Sequence, residues 1–476
     1  MNKNNLLVFL LIIFCFSVLL YFAPKNEFCE GGADNYWHYF FSKYSYQYPE
    51  FFLHHWGKPL FILLSGPFSQ FGFIGIKLFN ILCGILSSLI CYRFCKDLGL
   101  KHSWLAIPIL IFTPVYFLVL QTALTEPLFS LILIFSSYLL YKESFFAGAI
   151  VASLLVFSRT EGLFIVFYYA SYLVLIKQWK YIPLLASTFI AYAFIGLLAG
   201  HDFLWFFTEM PYSVESPYGR GNWFHFFKYY KNIWGTPHLI LLVSGIIILA
   251  INILKNKELN VFKNVSNNAK IILLVLVPAF LFFSFHVIAW KYGKFGSAGL
   301  ERVFACMIPC CAILCVYAVN AVSNIKLPQW AIYSSIAIAL FFIISYPFNL
   351  YHFPLKAVSD EKAEREAAEW FKLNKKEGQI IYYAHPAIVF YADLNPFDKV
   401  NNRECFAYHK DCAIEKTKPF YYFWDSAFSE FSCNTSINDL ESCPGMKRIK
   451  EFKENNFQLY IYEFTPVDSI EAKQGS

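Results

Sequence analysis

The chain opens on Leu6-Leu7-Val8-Phe9-Leu10-Leu11-Ile12-Ile13-Phe14-Cys15-Phe16-Ser17-Val18-Leu19-Leu20-Tyr21-Phe22-Ala23, an apolar run that contains no charged residue. At ~1.5 Å of rise per residue, a helix of this run crosses most of a hydrocarbon core about 30 Å thick. Lipid offers no hydrogen bonds, so a segment buried in it must pair its own backbone groups, as an α-helix does. Lys3 precedes the run and no small-residue cleavage site follows it. The expectation is a retained first span, not a leader that is cut away.

Working outward, comparable runs lie at 73–92, 104–120, 128–141, 145–157, 162–176, 181–200, 239–254, 271–290, 303–322 and 330–346. They predict an α-helical multi-pass membrane protein of about eleven transmembrane helices. The pieces between 128 and 176 are short for full spans. Composition agrees: 57% of residues are hydrophobic and 15% charged, against about 25% charged in a soluble domain. The net charge of +6 is scattered through loops. It forms no basic stripe of the kind nucleic acid needs, and no P-loop or dinucleotide fingerprint is present.

Lys and Arg in short loops set the orientation. Arg93, Lys96, Lys101, Lys142, Lys177, Lys180, Lys255, Lys257, Lys263, Lys270 and Lys326 fall on one side, read as cytoplasmic. Segments 24–72, 201–238 and 347–476 are then extracytoplasmic. The last reads as a small soluble α/β domain following a transmembrane domain at 1–346. Ser359 is placed to cap a helix over 360–373, whose Ala363, Ala367, Trp370 and Phe371 share a face. Strands are expected at 379–384, 387–392 and 458–464. Cys405, Cys412, Cys433 and Cys443 are candidates for two disulfides in an oxidising compartment, or for four thiols in a reducing one. Cys306, Cys310, Cys311 and Cys315 lie within an apolar run and read as small core residues.

The runs are nearly free of ionisable groups, with Lys77 and His286 the exceptions and Lys77 placed to snorkel. A coupled transporter is expected to put carboxylates at the midplane. Here acids and bases gather instead at the extracytoplasmic span ends. Asp34 and His38, four apart after Gly31-Gly32, share one face of a helix. The aromatics between Tyr36 and Tyr48 suit the membrane interface. The loop closes on His54-His55-Trp56-Gly57-Lys58-Pro59, where Pro59 favours an extended Lys58. Thr125-Glu126-Pro127, Arg159-Thr160-Glu161 and Glu301-Arg302 stand at later span ends. Taken singly, Asp34 reads equally as a solvated loop acid and Lys58 as an interfacial lysine. Trp205, Trp223 and Trp234 read first as interfacial anchors.

Together these residues resemble the GT-C class of membrane glycosyltransferases, and glycosyltransferase family 39 most. That group includes protein O-mannosyltransferases and the aminoarabinose transferase that modifies lipid A. The resemblance rests on an acid early in the first loop (Asp34), the Lys58-Pro59 pair and the Thr125-Glu126-Pro127-Leu128 turn. It also rests on Arg159 to Leu163, Glu301-Arg302 before Pro309, and the tail helix with its following strands. Asn35 stands where many relatives carry a second acid, and Val303 where a Tyr is usual.

The resemblance implies a GT-C-like fold and an inverting transfer of sugar from a polyprenyl-phosphate-linked donor. The acceptor would be a hydroxyl on a lipid, glycan or protein. Asp34 would be the general base, and Glu126 would position the acceptor. Lys58, Arg302 and Arg159 would hold the phosphate, with His38 and His55 in the substrate site. No cofactor is required; Asp34, His38 and Glu126 also have the ligand chemistry for a divalent metal. A bacterial inner membrane is the expected location. The rival readings are a transporter or flippase of lipid-linked sugars, a polysaccharide polymerase or ligase, and a scaffold.

Overall fold

The computed structural model describes residues 3–27, 30–256, 266–324, 328–376, 379–398, 400–404 and 418–466. Lys257, Lys263, Lys326, Cys405 and Cys412 lie outside the described residues. The chain divides into two compact units. One comprises Met1–Lys25 and Phe41–Pro354; the other comprises Asn26–Phe40 and Leu355–Ser476.

The first unit is helical. Among the described residues, seven helices are long and apolar enough to cross a membrane: Asn5–Phe22, Phe73–Asp97, Trp179–Leu198, Thr236–Lys255, Asn267–Tyr292, Glu301–Val322 and Gln329–Tyr351. Pro59–Ser69, Glu126–Tyr141, Phe145–Ser158 and Gly162–Leu175 are apolar but shorter. The three short helices between 126 and 175 fall where the apolar runs are short for full spans. The run 104–120 is not one helix. It breaks into a 3-10 turn, Ser103–Leu105, and helices Ala106–Ile111 and Pro114–Val119. Pro114 is the cause. It has no N–H to donate and forces Thr113 into an extended conformation, φ −64° and ψ 128°. Apolarity there reflects burial within protein, since nearly every residue from 105 to 120 is inaccessible.

Lys77 does not snorkel. It is buried, and its Nζ donates to the Ala23 carbonyl at 3.1 Å, beyond the C-terminal end of the first helix. A cation at that end of the peptide dipoles is favourable. The four cysteines from Cys306 to Cys315 are all buried, as expected of core residues.

The second unit carries a five-stranded sheet in the order β2-β1-β3-β5-β4. The strands are β1 Ile380–Tyr383, β2 Asn402–Glu404, β3 Phe420–Asp425, β4 Met446–Glu454 and β5 Phe457–Phe464. β1 runs parallel to β2 and β3, and β5 runs antiparallel to β3 and β4. Helix Ser359–Asn374 buries Ala363, Ala367 and Phe371, the edge of Phe371 meeting the rings of Tyr421 and Phe423. Tyr382, Phe420, Tyr422, Trp424 and Tyr462 fill the other face.

Two expectations for this unit need correction. Residues 387–392 are not a strand; Ala387–Tyr391 is a helix. Six apolar residues fit either state, and the αR conformation of Pro386, φ −67° and ψ −13°, starts the turn. Ser359 is the first helical residue and not the cap, because its hydroxyl accepts from the Asn455 amide at 2.7 Å. Cys433 is disulfide-bonded, and Cys443 is buried in the sheet core.

Candidate functional site

In the first unit, charged side chains gather where four elements begin. Lys58 immediately precedes helix Pro59–Ser69. Its loop is tightly made: His54 Nδ1 accepts the Gly57 N–H at 3.0 Å. A Cβ on Gly57 would come within 2.8 Å of Ile62 and 3.2 Å of Phe41. Lys58 is not extended as Pro59 alone would have it. Its φ is +66° with ψ 102°, a conformation that L-residues rarely adopt. The surrounding packing sets that backbone against the local preference. The ammonium is 7% exposed and donates to the Tyr212 hydroxyl at 2.6 Å. Among the described residues no carboxylate lies within ion-pair distance of it. Burial lowers its pKa to about 7; Glu161 acts against that and Arg159 with it.

Glu126 begins the Glu126–Tyr141 helix, and Arg159 and Glu161 form the turn before Gly162–Leu175. Glu126 is buried, and the side chains of Arg159 and Glu161 are each only 14% exposed. Arg159 pairs with Glu126 at 2.9 Å and Glu161 at 2.8 Å, and donates to the Thr125 hydroxyl at 3.1 Å. Burial would raise the Glu161 pKa, but Arg159 and His286 pull it down to about 2. His286 lies 3.7 Å from Glu161. One Glu126 oxygen, Oε2, is buried with no hydrogen-bond partner among the described residues. Arg302 is buried in the turn Glu301–Met307, which packs against the Glu126–Tyr141 helix. His55 is buried, stacks on Phe206 at 4.5 Å and shares a hydrogen bond with its carbonyl at 3.0 Å. Burial, then Lys58, lowers its pKa to about 4, so it is neutral at pH 7.

Asp34 and His38 stand on the helix Ala33–Tyr44, in the part assigned to the second unit. Gly31 and Gly32, at φ 105° and 47°, make the turn that starts it. Asp34 is half-buried in the first helical turn, where a carboxylate is favoured, and His38 is buried. Two residues on from Asp34, the Tyr36 hydroxyl donates to Glu361, and Tyr391 donates to the same carboxylate oxygen at 2.7 Å. Tyr36 packs on Phe390 with 4.7 Å between centroids. Glu27 N–H donates to Leu355 O at 2.9 Å, and Leu355 N–H to Asn26 Oδ1 at 2.9 Å. The segment bearing Asp34 is thus bound to the tail by both side chains and backbone.

Lys58, Glu126, Arg159 and Arg302 therefore belong to the first unit, and Asp34 and His38 to the second. Among the described residues no group of three or more His, Cys, Asp or Glu side chains could hold a metal ion. Sequence reasoning passed over Tyr212 and Glu361, took Tyr36 only as an interfacial aromatic, and took Glu161 only as one more acid at a span end. Glu161 had a signal in its spacing from Arg159; Tyr212 and Glu361 had none, being distant in sequence. Trp205 is fully buried, its Nε1 donating to Tyr192 O at 3.1 Å, so it packs rather than anchors.

No protein-family model and no curated protein sequence matches the chain. Among the solved structures that match its fold are two of one protein. ArnT from Cupriavidus metallidurans bound to undecaprenyl phosphate superposes with a TM-score of 0.63 at 9% identity, over 95% of this chain and 97% of that one. The apo form of the same protein gives 0.59 at 9% identity over the same shares. ArnT is a lipid A aminoarabinose transferase of the GT-C type, similar to family 39. The chain has that fold, with a small C-terminal sheet domain, and is an integral membrane protein.

Proposed function

We infer that this ArnT-like chain is a glycosyltransferase. It moves a sugar from a polyprenyl-phosphate donor to an acceptor hydroxyl on the extracytoplasmic face of a bacterial inner membrane. One observation carries the reading: Lys58, a buried ammonium whose hydrogen bond goes to a phenol and not to a carboxylate. A buried cation without an anionic partner is costly, and a phosphate would neutralise it. Support for a lipid phosphate comes from the fold likeness to ArnT bound to undecaprenyl phosphate.

In the transfer, the acceptor oxygen attacks the anomeric carbon from the face opposite the phosphate. The hydroxyl proton passes to the Asp34 carboxylate as the new C–O bond forms. The anomeric C–O bond to phosphate breaks, and polyprenyl phosphate leaves with both electrons. One inversion results. Lys58 and Arg302 take up the negative charge that grows on the leaving phosphate. Arg159 is held by two carboxylates and serves chiefly to fix Glu126, whose free Oε2 accepts a hydrogen bond from the acceptor. The reading invokes no cofactor, and transfer measured after prior chelation tests for a divalent metal. Residues 347–476 form the extracytoplasmic domain in this scheme.

The test is sugar transfer by membranes containing the protein, with labelled polyprenyl-phosphate sugars, comparing the parent with Asp34→Asn. Transfer lost in a folded variant supports the reading. Equal transfer removes Asp34 from the mechanism. Movement of intact lipid-linked sugar without bond cleavage replaces the enzyme with a flippase.

A further inference from the structure

The first unit holds a second polar feature, far from Lys58. The helix Phe73–Asp97 spans the distance between them. Near its start, Asn80 donates to the carbonyls of Thr122 and Leu124 at 2.7 and 2.8 Å, beside Glu126. Near its end, Lys96 lines a cavity of about 700 Å³. The sixteen residues from Asn80 to Lys96 rise ~24 Å, so the cavity sits at the opposite end of the span.

Its walls and rim differ in chemistry. Leu7 and Val8 of the first helix and Ile332 of Gln329–Tyr351 form apolar wall. Both helices leave large side chains exposed along their length, such as Leu10 at 53% and Phe341 at 67%, which is the surface hydrocarbon chains cover. The rim is cationic: Lys96 and Lys101 line the cavity beside His102, whose pKa burial and then Lys101 lower, and among the described residues no acid lines it. Asp97, the nearest acid in sequence, is taken by Lys142 at 3.1 Å, Arg93 at 3.7 Å and the Tyr138 hydroxyl at 2.8 Å. The rim is also fixed in place. Lys101 N–H donates to Asn320 Oδ1 at 3.0 Å, and the His102 ring meets Tyr333 edge-on at 6.2 Å.

We propose that this cavity binds the phosphate head group of an anionic membrane phospholipid, its acyl chains lying along the first helix and Gln329–Tyr351. A basic hollow between apolar helices offers what such a lipid needs: cations for the phosphate and hydrocarbon-facing wall for the chains. The site is separate from the proposed donor site and does not depend on that reading.

The experiment uses the full chain in nanodiscs of neutral phosphatidylcholine doped with phosphatidylglycerol. The lipid that stays bound through detergent extraction is measured by native mass spectrometry. The variants are Lys96→Gln with Lys101→Gln, and Lys180→Gln as a control on an exposed lysine away from the cavity. Retained phosphatidylglycerol is expected to fall roughly 30-fold in the double variant, from about 1 kcal/mol for each lysine near an anionic lipid surface. It is expected to stay unchanged in the control. Brominated phosphatidylglycerol is also expected to quench Trp104, which lines the cavity, with the quenched component absent from Trp104→Phe. Equal retention of both lipids by the parent, or equal retention of phosphatidylglycerol by parent and double variant, overturns the proposal. So does displacement of the lipid by inorganic phosphate, which would make the site one for a soluble anion.

Discussion

Replacing Lys58 by Met removes the buried positive charge while keeping most of the side-chain volume. The expected cost follows from the geometry. A phosphate oxygen that comes to about 4 Å from Nζ, at an effective dielectric constant near 20, gains about 4 kcal/mol from the ammonium. Lys58 is only half protonated at pH 7, since burial lowers its pKa to about 7. Charging it first costs about 0.4 kcal/mol. The net, about 3.6 kcal/mol, predicts a fall of roughly 400-fold in kcat/KM, comparable to loss of one oxyanion-hole donor. The same pKa fixes the sign of the pH dependence. Phosphate binds the ammonium, so in the parent log kcat/KM should decline above about pH 7 as the free protein loses that proton. In Lys58→Met that decline should be absent. The assay is initial-rate transfer from a polyprenyl-phosphate sugar between pH 6 and 9, with the folded fraction checked by size exclusion. A variant within threefold of the parent, or one that keeps the alkaline decline, refutes the assignment of Lys58 to the phosphate.

Three other predictions concern the supporting charges. Arg159→Met leaves Glu126 and Glu161 buried without their cation and should destabilise the first unit by about 3–5 kcal/mol, more than Glu126→Gln, which leaves the Arg159–Glu161 pair intact; denaturant titration in detergent measures the difference. Tyr36→Phe and Glu361→Gln should each lower kcat several-fold at unchanged donor KM, because they loosen the helix that carries Asp34; if Glu361→Ala keeps full kcat, that link plays no part. In the tail, His385 and Glu364 are buried 2.7 Å apart. Burial lifts Glu364 to about 7, and Glu364 lifts His385 against its own burial. Both groups hold protons in the folded state that the unfolded chain releases at lower pH, so the tail should lose stability as pH rises through neutrality. Hydrogen exchange over residues 359–374 between pH 6 and 8 should show this, and Glu364→Gln should flatten it.

The spans were legible because their signal is local: an unbroken apolar run has few alternatives in either lipid or core. The same signal misled at 104–120, where apolarity comes from burial against other helices and Pro114 divides the run. It misled again at Ala387–Tyr391, too short for its period to decide. β2, β3 and β4 went unread, because β3 is apolar on both faces and β4 alternates weakly, as a largely exposed edge strand does. At the candidate site, short turns such as Thr125-Glu126-Pro127 and Arg159-Thr160-Glu161 could be read as pieces. Their conversion into one buried ion-pair cluster could not, because it depends on packing between helices. The φ of Lys58 is the clearest case: Pro59 predicted an extended residue, and tertiary packing overrode it.

The binding of residues 26–40 to the tail also bears on how the protein is made. Tyr36 and Glu361 are separated by 325 positions in the chain. At ~5–20 residues per second of synthesis, the segment carrying Asp34 waits roughly 16–65 s for its partners to emerge. During that interval the first span is already in the membrane while the residues that will hold Asp34 do not yet exist. A polypeptide that ends just after Tyr351 would hold every long apolar helix described here and the Lys58 cluster, yet leave the helix that carries Asp34 without Glu361 and Tyr391. Synthesis of the segment from Leu355 onward thereby becomes a condition for holding the Asp34 helix, and copies that stop short of it are expected to show weakened transfer if Asp34 is the base.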